Sequence, residues 1–372
     1  MIKVGITGQN GFIGRHLYNS LGLTPEIVER VEFKREFFDD HDRLVSFVEK
    51  CDVIVHLAAL NRHEDETTLH DINIELVQKL VEALEAVNSK AHVVFSSSSQ
   101  ENRVNLYGAS KKRGRELLEL WSQRAGSSFT GLIVPNVFGP FGVPFYNSFV
   151  ATFCYQLAQG ASPSIENDSL VSLIYVNELT QLIISEIIEP SGDSLIEVKP
   201  TSTKNVSEVL NYLQVFRDEY QSQGIIPKLE NSFEINLFNT FRSYINIDAH
   251  FPITYTQHVD QRGAFVEVIR LNVGGQVSFS TTKPGVTRGN HYHTRKIERF
   301  SVIKGKAMIQ LRQIGTTKIH DLEVCGDQPG YVDMPVWYTH NITNIGTEEL
   351  VTIFWINEFY DSNDPDTYFE NV

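Results

Sequence analysis

Through the first 135 residues, apolar runs alternate with stretches whose apolar positions recur three and four residues apart. The runs Ile2 to Thr7, Ile27 to Phe33, Val53 to Leu57, Val93 to Phe95 and Gly131 to Val134 predict strands. Phe12 to Leu21, Asp42 to Lys50, Leu69 to Asn88 and Tyr107 to Arg124 predict helices between them. Alternation of this kind implies an α/β fold with a parallel, doubly wound sheet. Between Tyr146 and Tyr244 the helical signals are mixed, Val206 to Tyr220 among them. Near Phe251-Pro252-Ile253 the pattern shifts to short strands punctuated by Gly, Pro and Asn, which predicts an all-β barrel or jelly roll. The expected division is residues 1–243 and 250–372, with the boundary between about 240 and 255.

Composition narrows the class. A chain of 372 residues is long for one core, and 41% hydrophobic with 21% charged residues fits a globular protein. A formal charge of −14 argues against broad binding of nucleic acid or anionic membranes, which need basic faces. Cys51, Cys154 and Cys325 are widely spaced and form no C-x-x-C pair, so neither a disulfide framework nor a Cys-based zinc site is expected. No apolar run approaches the ~20 residues of a membrane span. Met1 leads at once into a strand, leaving no room for a signal peptide, and a cytoplasmic location is expected.

The first strand runs into Gly8-Gln9-Asn10-Gly11-Phe12-Ile13-Gly14. Gly8 permits a sharp turn, Gly11 lets backbone approach a pyrophosphate, and Gly14 lets the next helix pack tightly, so the phosphates of a dinucleotide would sit at that helix's positive end. In such sheets the ligand lies beyond the carboxyl ends of the strands. Those positions hold Leu57-Ala58-Ala59, small enough for a cofactor to lie close, the run Ser96 to Ser99, and then Tyr107 and Lys111. Tyr107 and Lys111 stand one helical turn apart and share a face. Reduction of a ketone by hydride leaves an alkoxide that needs a proton. A tyrosine supplies one if an ammonium lowers its pKa, and the same lysine could hold the nicotinamide ribose. After the second strand Lys34 and Arg35 favour the 2′-phosphate of NADP.

The G-x-x-G-x-x-G spacing with Ser and Tyr-x-x-x-Lys resembles the extended short-chain dehydrogenase/reductases. That resemblance makes Ser98 the carbonyl-orienting hydroxyl, with Ser97 and Ser99 as alternatives, because only eight residues separate Ser98 from Tyr107. It gives Asn73 a role in steadying the active-site helix, and places Val134 to Pro140 against nicotinamide and substrate. Arg242 and Lys228 are candidates for substrate phosphates, or isolated surface charges.

The β part holds a second constellation. His291 and His293, at i and i+2, point to one face of a strand, and Glu298 and His340 on neighbouring strands can converge with them on one ion. This set suits zinc, or Mn, Fe or Ni with less selectivity. Its spacing resembles the two cupin motifs, with Trp337 where the second usually carries glycine. Asp260 to Glu267, Arg288-Gly289-Asn290-His291 and Tyr360 to Pro365 further resemble the dTDP-4-keto-6-deoxy-sugar 3,5-epimerases. In those enzymes the residues matching His291 and Tyr360 are the base and the proton donor on the opposite face. An imidazole nitrogen bound to metal cannot accept a substrate proton with the same lone pair. His291 is therefore ligand or base, or metal is absent in turnover.

A Rossmann-type reductase part followed by a cupin part is similar, over essentially the whole chain, to the CapF family of capsular polysaccharide enzymes. Tyr146 to Tyr155 and Asn363 to Phe369 extend the likeness outside the generic motifs. The resemblance implies a homodimer that epimerises a UDP-2-acetamido-2,6-dideoxy-4-hexulose at C3 and then reduces C4 with NADPH, toward UDP-N-acetyl-L-fucosamine. The alternatives are a reductase whose cupin part is a non-catalytic sugar-binding or dimerisation module, and a nucleotide-sugar 4-epimerase that recycles NAD.

Overall fold

In the computed structural model, which describes residues 1–372, the N-terminal runs form β1 (Ile2–Thr7), β2 (Val28–Val31), β3 (Val53–His56), β4 (His92–Ser98) and β5 (Phe129–Val134). Between them lie α1 (Phe12–Leu21), α2 (His41–Glu49), α3 (Glu66–Ala86) and α4 (Leu106–Ala125). The chain continues through β6 (Asn136–Phe138), α5 (Phe149–Ala158), β7 (Leu170–Tyr175), α6 (Val176–Ile188), β8 (Leu195–Glu197) and β9 (Ser202–Asn205). It divides into two compact units, Met1–Thr152 with Asn167–Val206, and Phe153–Glu166 with Ser207–Val372.

The first unit is built on a six-stranded parallel sheet in the order β2-β1-β3-β4-β5-β8. The inner strands β1, β3, β4 and β5 are buried on both faces because helices cover both sides of them. Leu17 and Ile183 of α1 and α6 pack over Val4, Ile6 and Val55 on one face. Phe47, Leu80, Leu118 and Trp121 of α2, α3 and α4 cover Ile54, Val93 and Phe95 on the other. The strand order reverses between β1 and β3, and a crevice opens at such a switch point. A smaller sheet, β6-β7-β9, lies in the same unit.

The second unit adds α7 (Val206–Val215), which runs into a wide π turn at Phe216–Gln221, then α8 (Ser232–Arg242) and the short α9 (Ile247–His250). Its strands are β10 (Ile253–Thr254), β11 (Gln257–Asp260), β12 (Gly263–Val266), β13 (Gln276–Thr282), β14 (Thr287–Tyr292), β15 (Glu298–Lys304) and β16 (Lys306–Gln313). They continue as β17 (Ile319–Cys325), β18 (Gly330–Met334), β19 (Tyr338–Asn344), β20 (Leu350–Ile356) and β21 (Tyr368–Phe369). Two antiparallel five-stranded sheets, β10-β18-β15-β20-β13 and β17-β16-β19-β14-β21, enclose a core of Val302, Ile309, Leu311, Val332 and Ile342. No helix follows His250, as the sequence pattern predicts.

Residues 216–242 are tied to the β sheets by buried polar contacts. The Tyr220 hydroxyl donates to Asp333 at 2.8 Å, and Arg242 donates to the Met334 carbonyl at 2.8 Å. Arg299 grips Asp333 through two bonds of 2.7 and 2.9 Å, donates to the Gly224 carbonyl, and lies 3.8 Å over the Tyr331 ring.

Candidate functional sites

The glycine loop turns as the sequence demands. Gly8 has φ +78, a conformation that favours glycine, and a Cβ on Gly14 would stand 2.2 Å from the Gly8 carbonyl oxygen. That lack of side chain lets α1 start against the loop. A cavity of about 350 Å³ opens there, bringing together Gly8, Gly11 to Gly14, Leu57 to Ala59, Ser96 to Ser98, Tyr107 and Lys111. Asn10, Lys34 and Arg35 are not part of its lining. Lys34 is exposed and paired with Glu32 at 3.4 Å.

The four serines take distinct parts, because β4 continues through Ser98 where the sequence predicts an end at Phe95. The Ser96 carbonyl accepts from Lys111 Nζ at 2.9 Å. The Ser97 hydroxyl donates to Glu101, whose carboxylate is also held by Arg115 at 2.9 Å. The Ser98 hydroxyl accepts from the Gln100 N–H at 3.2 Å and is the one of the four that acts on the Tyr107 phenol. Asn73 lies buried under the cavity, accepting from Leu60 N–H at 2.6 Å and donating to the Leu60 carbonyl and the Ser110 hydroxyl.

Burial pushes the Tyr107 phenol up to about 12; the Tyr146 phenol adds to the rise and the Ser98 bond opposes it. This direction is opposite to the one expected from sequence. Lys111 Nζ is anchored on a carbonyl and stands 5.9 Å from the Tyr107 ring, so it does not lower the phenol. A phenol kept protonated is nonetheless the form needed to protonate an alkoxide, which is far more basic than a phenolate. Burial draws Lys111 down to about 8, with Glu101 opposing. Its ammonium form is lost as pH rises through that value, so kcat/KM for the nicotinamide cofactor is expected to fall above about pH 8. A profile flat to the ordinary lysine range would refute this.

Asn61, which sequence reading passed over, completes the cavity wall. The Tyr107 hydroxyl donates to Asn61 Oδ1 at 3.1 Å, and the Asn61 N–H donates to the Tyr146 hydroxyl at 3.2 Å. Asn61 lies two residues beyond the Leu57-Ala58-Ala59 segment, which is the signal that marked its neighbourhood.

In the second unit His291, His293, Glu298 and His340 converge, their ligand atoms all within 4.8 Å of one another. Glu298 lies 2.9 Å from His293 Nε2 and 3.3 Å from His340 Nε2. The far ring nitrogens face backbone: His293 Nδ1 bonds the Asp366 carbonyl, and His340 Nδ1 the Tyr338 carbonyl at 3.2 Å. A ring that donates through Nδ1 presents the Nε2 lone pair inward, so the buried donor set fits a divalent cation. Burial opposes ionisation of Glu298, yet the imidazoles of His293 and His340 hold its carboxyl far below the usual range. His291 is half-buried, and burial, then His340 and His293, draw it down to about 4.

Its aim comes from local backbone. Asn290 has φ +58, and the β14–β19 register slips between Gly289 and His291. Trp337 stands where cupins carry glycine and has φ +61, so the backbone there takes the glycine conformation with a buried indole stacked 5.8 Å from Tyr292. Tyr360 is exposed, with Lys296 Nζ 5.9 Å from its ring.

Neither candidate phosphate ligand outside these sites is free for that task. Arg242 is buried on Tyr220, Asn239 and Met334, a consequence of its place on the inner face of α8, and exposed Lys228 pairs with Glu230 at 2.5 Å.

Residues 4–187 match the NAD dependent epimerase/dehydratase family, and residues 258–368 the polysaccharide biosynthesis C-terminal domain. The UDP-2-acetamido-2,6-beta-L-arabino-hexul-4-ose reductase of Pseudomonas aeruginosa is 34% identical over 369 residues, covering 99% of this chain and 98% of that one. The crystal structure of the capsular polysaccharide assembling protein CapF from Staphylococcus aureus is 33% identical, covers both chains completely and superimposes with a TM-score of 0.64. The spore coat polysaccharide biosynthesis protein SpsL of Bacillus subtilis is 30% identical over 120 residues, covering 30% of this chain and 80% of that one. No helix is long and apolar enough to cross a membrane.

Proposed function

We propose, because the chain belongs to the CapF family, that it converts a UDP-2-acetamido-2,6-dideoxy-4-hexulose in two steps, inversion at C3 followed by NADPH-dependent reduction at C4, toward UDP-N-acetyl-L-fucosamine. The chain is an oxidoreductase of the NAD dependent epimerase/dehydratase class in polysaccharide biosynthesis. What supports the two-step reading is the presence of a Ser-Tyr-Lys set on a glycine-loop cavity and a His/Glu cluster on the same chain, one in each unit.

Chemistry dictates the order. The proton at C3 is removable only while C4 is a ketone, because the enolate spreads its charge onto that oxygen. Inversion at C3 by the cupin part, residues 250–372, therefore precedes reduction by residues 1–243. Buried His293, Glu298 and His340 would hold a divalent cation, zinc by preference. Bound there, it would supply Lewis-acid stabilisation of negative charge on the sugar carbonyl oxygen. Half-buried His291 takes the C3 proton as the neutral base, and Tyr360 returns one from the opposite face.

In the first unit Gly8, Gly11, Phe12, Ile13 and Gly14 receive the pyrophosphate, with Leu57, Ala58 and Ala59 against the cofactor; Lys34 and Arg35 would reach the 2′-phosphate from outside the cavity lining. Ser98 orients the C4 carbonyl, Tyr107 protonates its oxygen, and Lys111 holds the nicotinamide ribose. We place the reaction in the cytoplasm and the enzyme as a homodimer. Exposed Val277 and Phe279 on β13, the open edge of its sheet, give a second copy an apolar strand to meet, and light scattering decides the point.

The 4-keto sugar nucleotide incubated in deuterated water without NADPH is expected to gain deuterium at C3, and His291→Ala to lose that exchange by about 10²- to 10⁴-fold. Adding NADPH to the wild type should yield the C3-inverted alcohol by NMR. Reduction without any C3 deuterium would leave the second unit a non-catalytic module.

A further inference from the structure

We propose that Asp366 is a positioning residue of the His/Glu cluster, and that the segment Asp364 to Phe369 is thereby built into that site; the cation part of this rests on the reading above. Asp366 is 1% exposed and, although not glycine, is held at φ +39. Its carboxylate accepts four bonds: Thr294 N–H at 3.0 Å, the Thr294 hydroxyl at 2.7 Å, Arg295 N–H at 3.0 Å and Lys296 N–H at 3.1 Å. Its own carbonyl accepts the Nδ1–H of His293.

One residue thus does two things to the cluster. The three successive amides belong to the turn that joins His293 to Glu298, so the carboxylate fixes the separation of those two side chains. The carbonyl keeps a proton on His293 Nδ1, so that Nε2 is the nitrogen that faces Glu298. Such outer contacts orient ligands and raise their basicity.

Neighbouring contacts hold Asp366 in place from both sides. Lys296 Nζ donates to the Pro365 carbonyl at 2.7 Å, and Arg295 Nη1 to Asp364 at 3.0 Å. Beyond it, β21 pairs with β14, setting Phe369 opposite His291 and Tyr368 opposite Tyr292, whose rings stack at 5.4 Å. The tail therefore forms a strand beside the strand that carries His291.

The experiment uses the full-length protein, stripped of metal, as wild type, Asp366→Ala and Asp366→Asn. Long-range proton–nitrogen NMR of the imidazoles reads the His293 tautomer without any metal, and chelator competition reads zinc affinity. Both variants keep the main-chain carbonyl at 366 but lose carboxylate bonds that hold it against His293, so the Nδ1–H is expected to be released, more fully in Asp366→Ala than in Asp366→Asn, and zinc affinity to fall about 10- to 100-fold. NADPH binding, which belongs to the first unit, should be unchanged. Asp366→Asn is the informative variant if Asp366→Ala does not fold. An unaltered His293 ring in the variants overturns the proposal. A wild type that binds no zinc overturns the cation reading alone, and loss of the fixed tautomer in the variants would still support the orienting role.

Discussion

Tyr107→Phe is expected to lower NADPH oxidation by about 10²- to 10⁴-fold, the usual contribution of a positioned general acid, while solvent deuterium still enters C3 at the wild-type rate. The substitution removes one oxygen that is bonded to Asn61 and lies beside Ser98, and leaves the ring's packing in place. The binding of NADPH should survive, because the glycine loop and Lys111 are untouched and Lys111 is anchored on the Ser96 carbonyl, not on the phenol. The assay pairs absorbance loss at the nicotinamide band with NMR of recovered substrate. If exchange at C3 stops as well, the two reactions share Tyr107 and the two-site scheme falls.

Asp333→Asn is expected to destabilise the second unit by about 3–5 kcal/mol, the cost of leaving a buried charge without its partner. Arg299 and Asp333 are each 1% exposed, and Arg299 cannot shed its proton to escape the cost. The burial that would raise the Asp333 carboxyl is outweighed by Arg299, which holds it below the ordinary range, so the native pair is fully ionised. Tyr220 would also exchange a carboxylate acceptor for a weaker amide. Denaturant unfolding measures the loss, and a change below about 1 kcal/mol would contradict it. The double replacement Arg299→Met with Asp333→Leu should recover much of the stability, since burying two apolar groups costs no desolvation of charge.

Much of the fold could be read from residue patterns, for reasons that the structure makes concrete. β1 and α1 have the predicted bounds, because an apolar strand followed by Gly8, Gly11 and Gly14 admits little else. The His/Glu cluster was visible because a spacing of two in extended chain is a local geometric statement, although His293 stands one residue past the end of β14 and Glu298 comes from the other sheet, not from a neighbouring strand. α3 begins at Glu66, earlier than its apolar period suggests, since Asp65 caps the Thr67 and Thr68 amides without any apolar residue to announce it. The roles of Asn61 and Asp366 were not legible. Each depends on partners far away in sequence, Tyr107 and Tyr146 for one and His293 for the other. Arg242 misled for the same reason: a basic residue on a helix looks like a surface charge until Tyr220 and Met334 close over it.

The polypeptide passes from one unit to the other at Phe153, returns at Asn167 and leaves again at Ser207. Scissors applied once to the gene therefore cannot separate the halves. A fragment ending at Arg242 would carry Phe216, Phe238 and Phe241 with it but leave behind Asp333 and the Met334 carbonyl, exposing an arginine and a tyrosine that had been paired. Insolubility of such a fragment would report this orphaned surface and say nothing about catalysis. Point substitutions in the intact chain, not excision, are the means of assigning each reaction to its half.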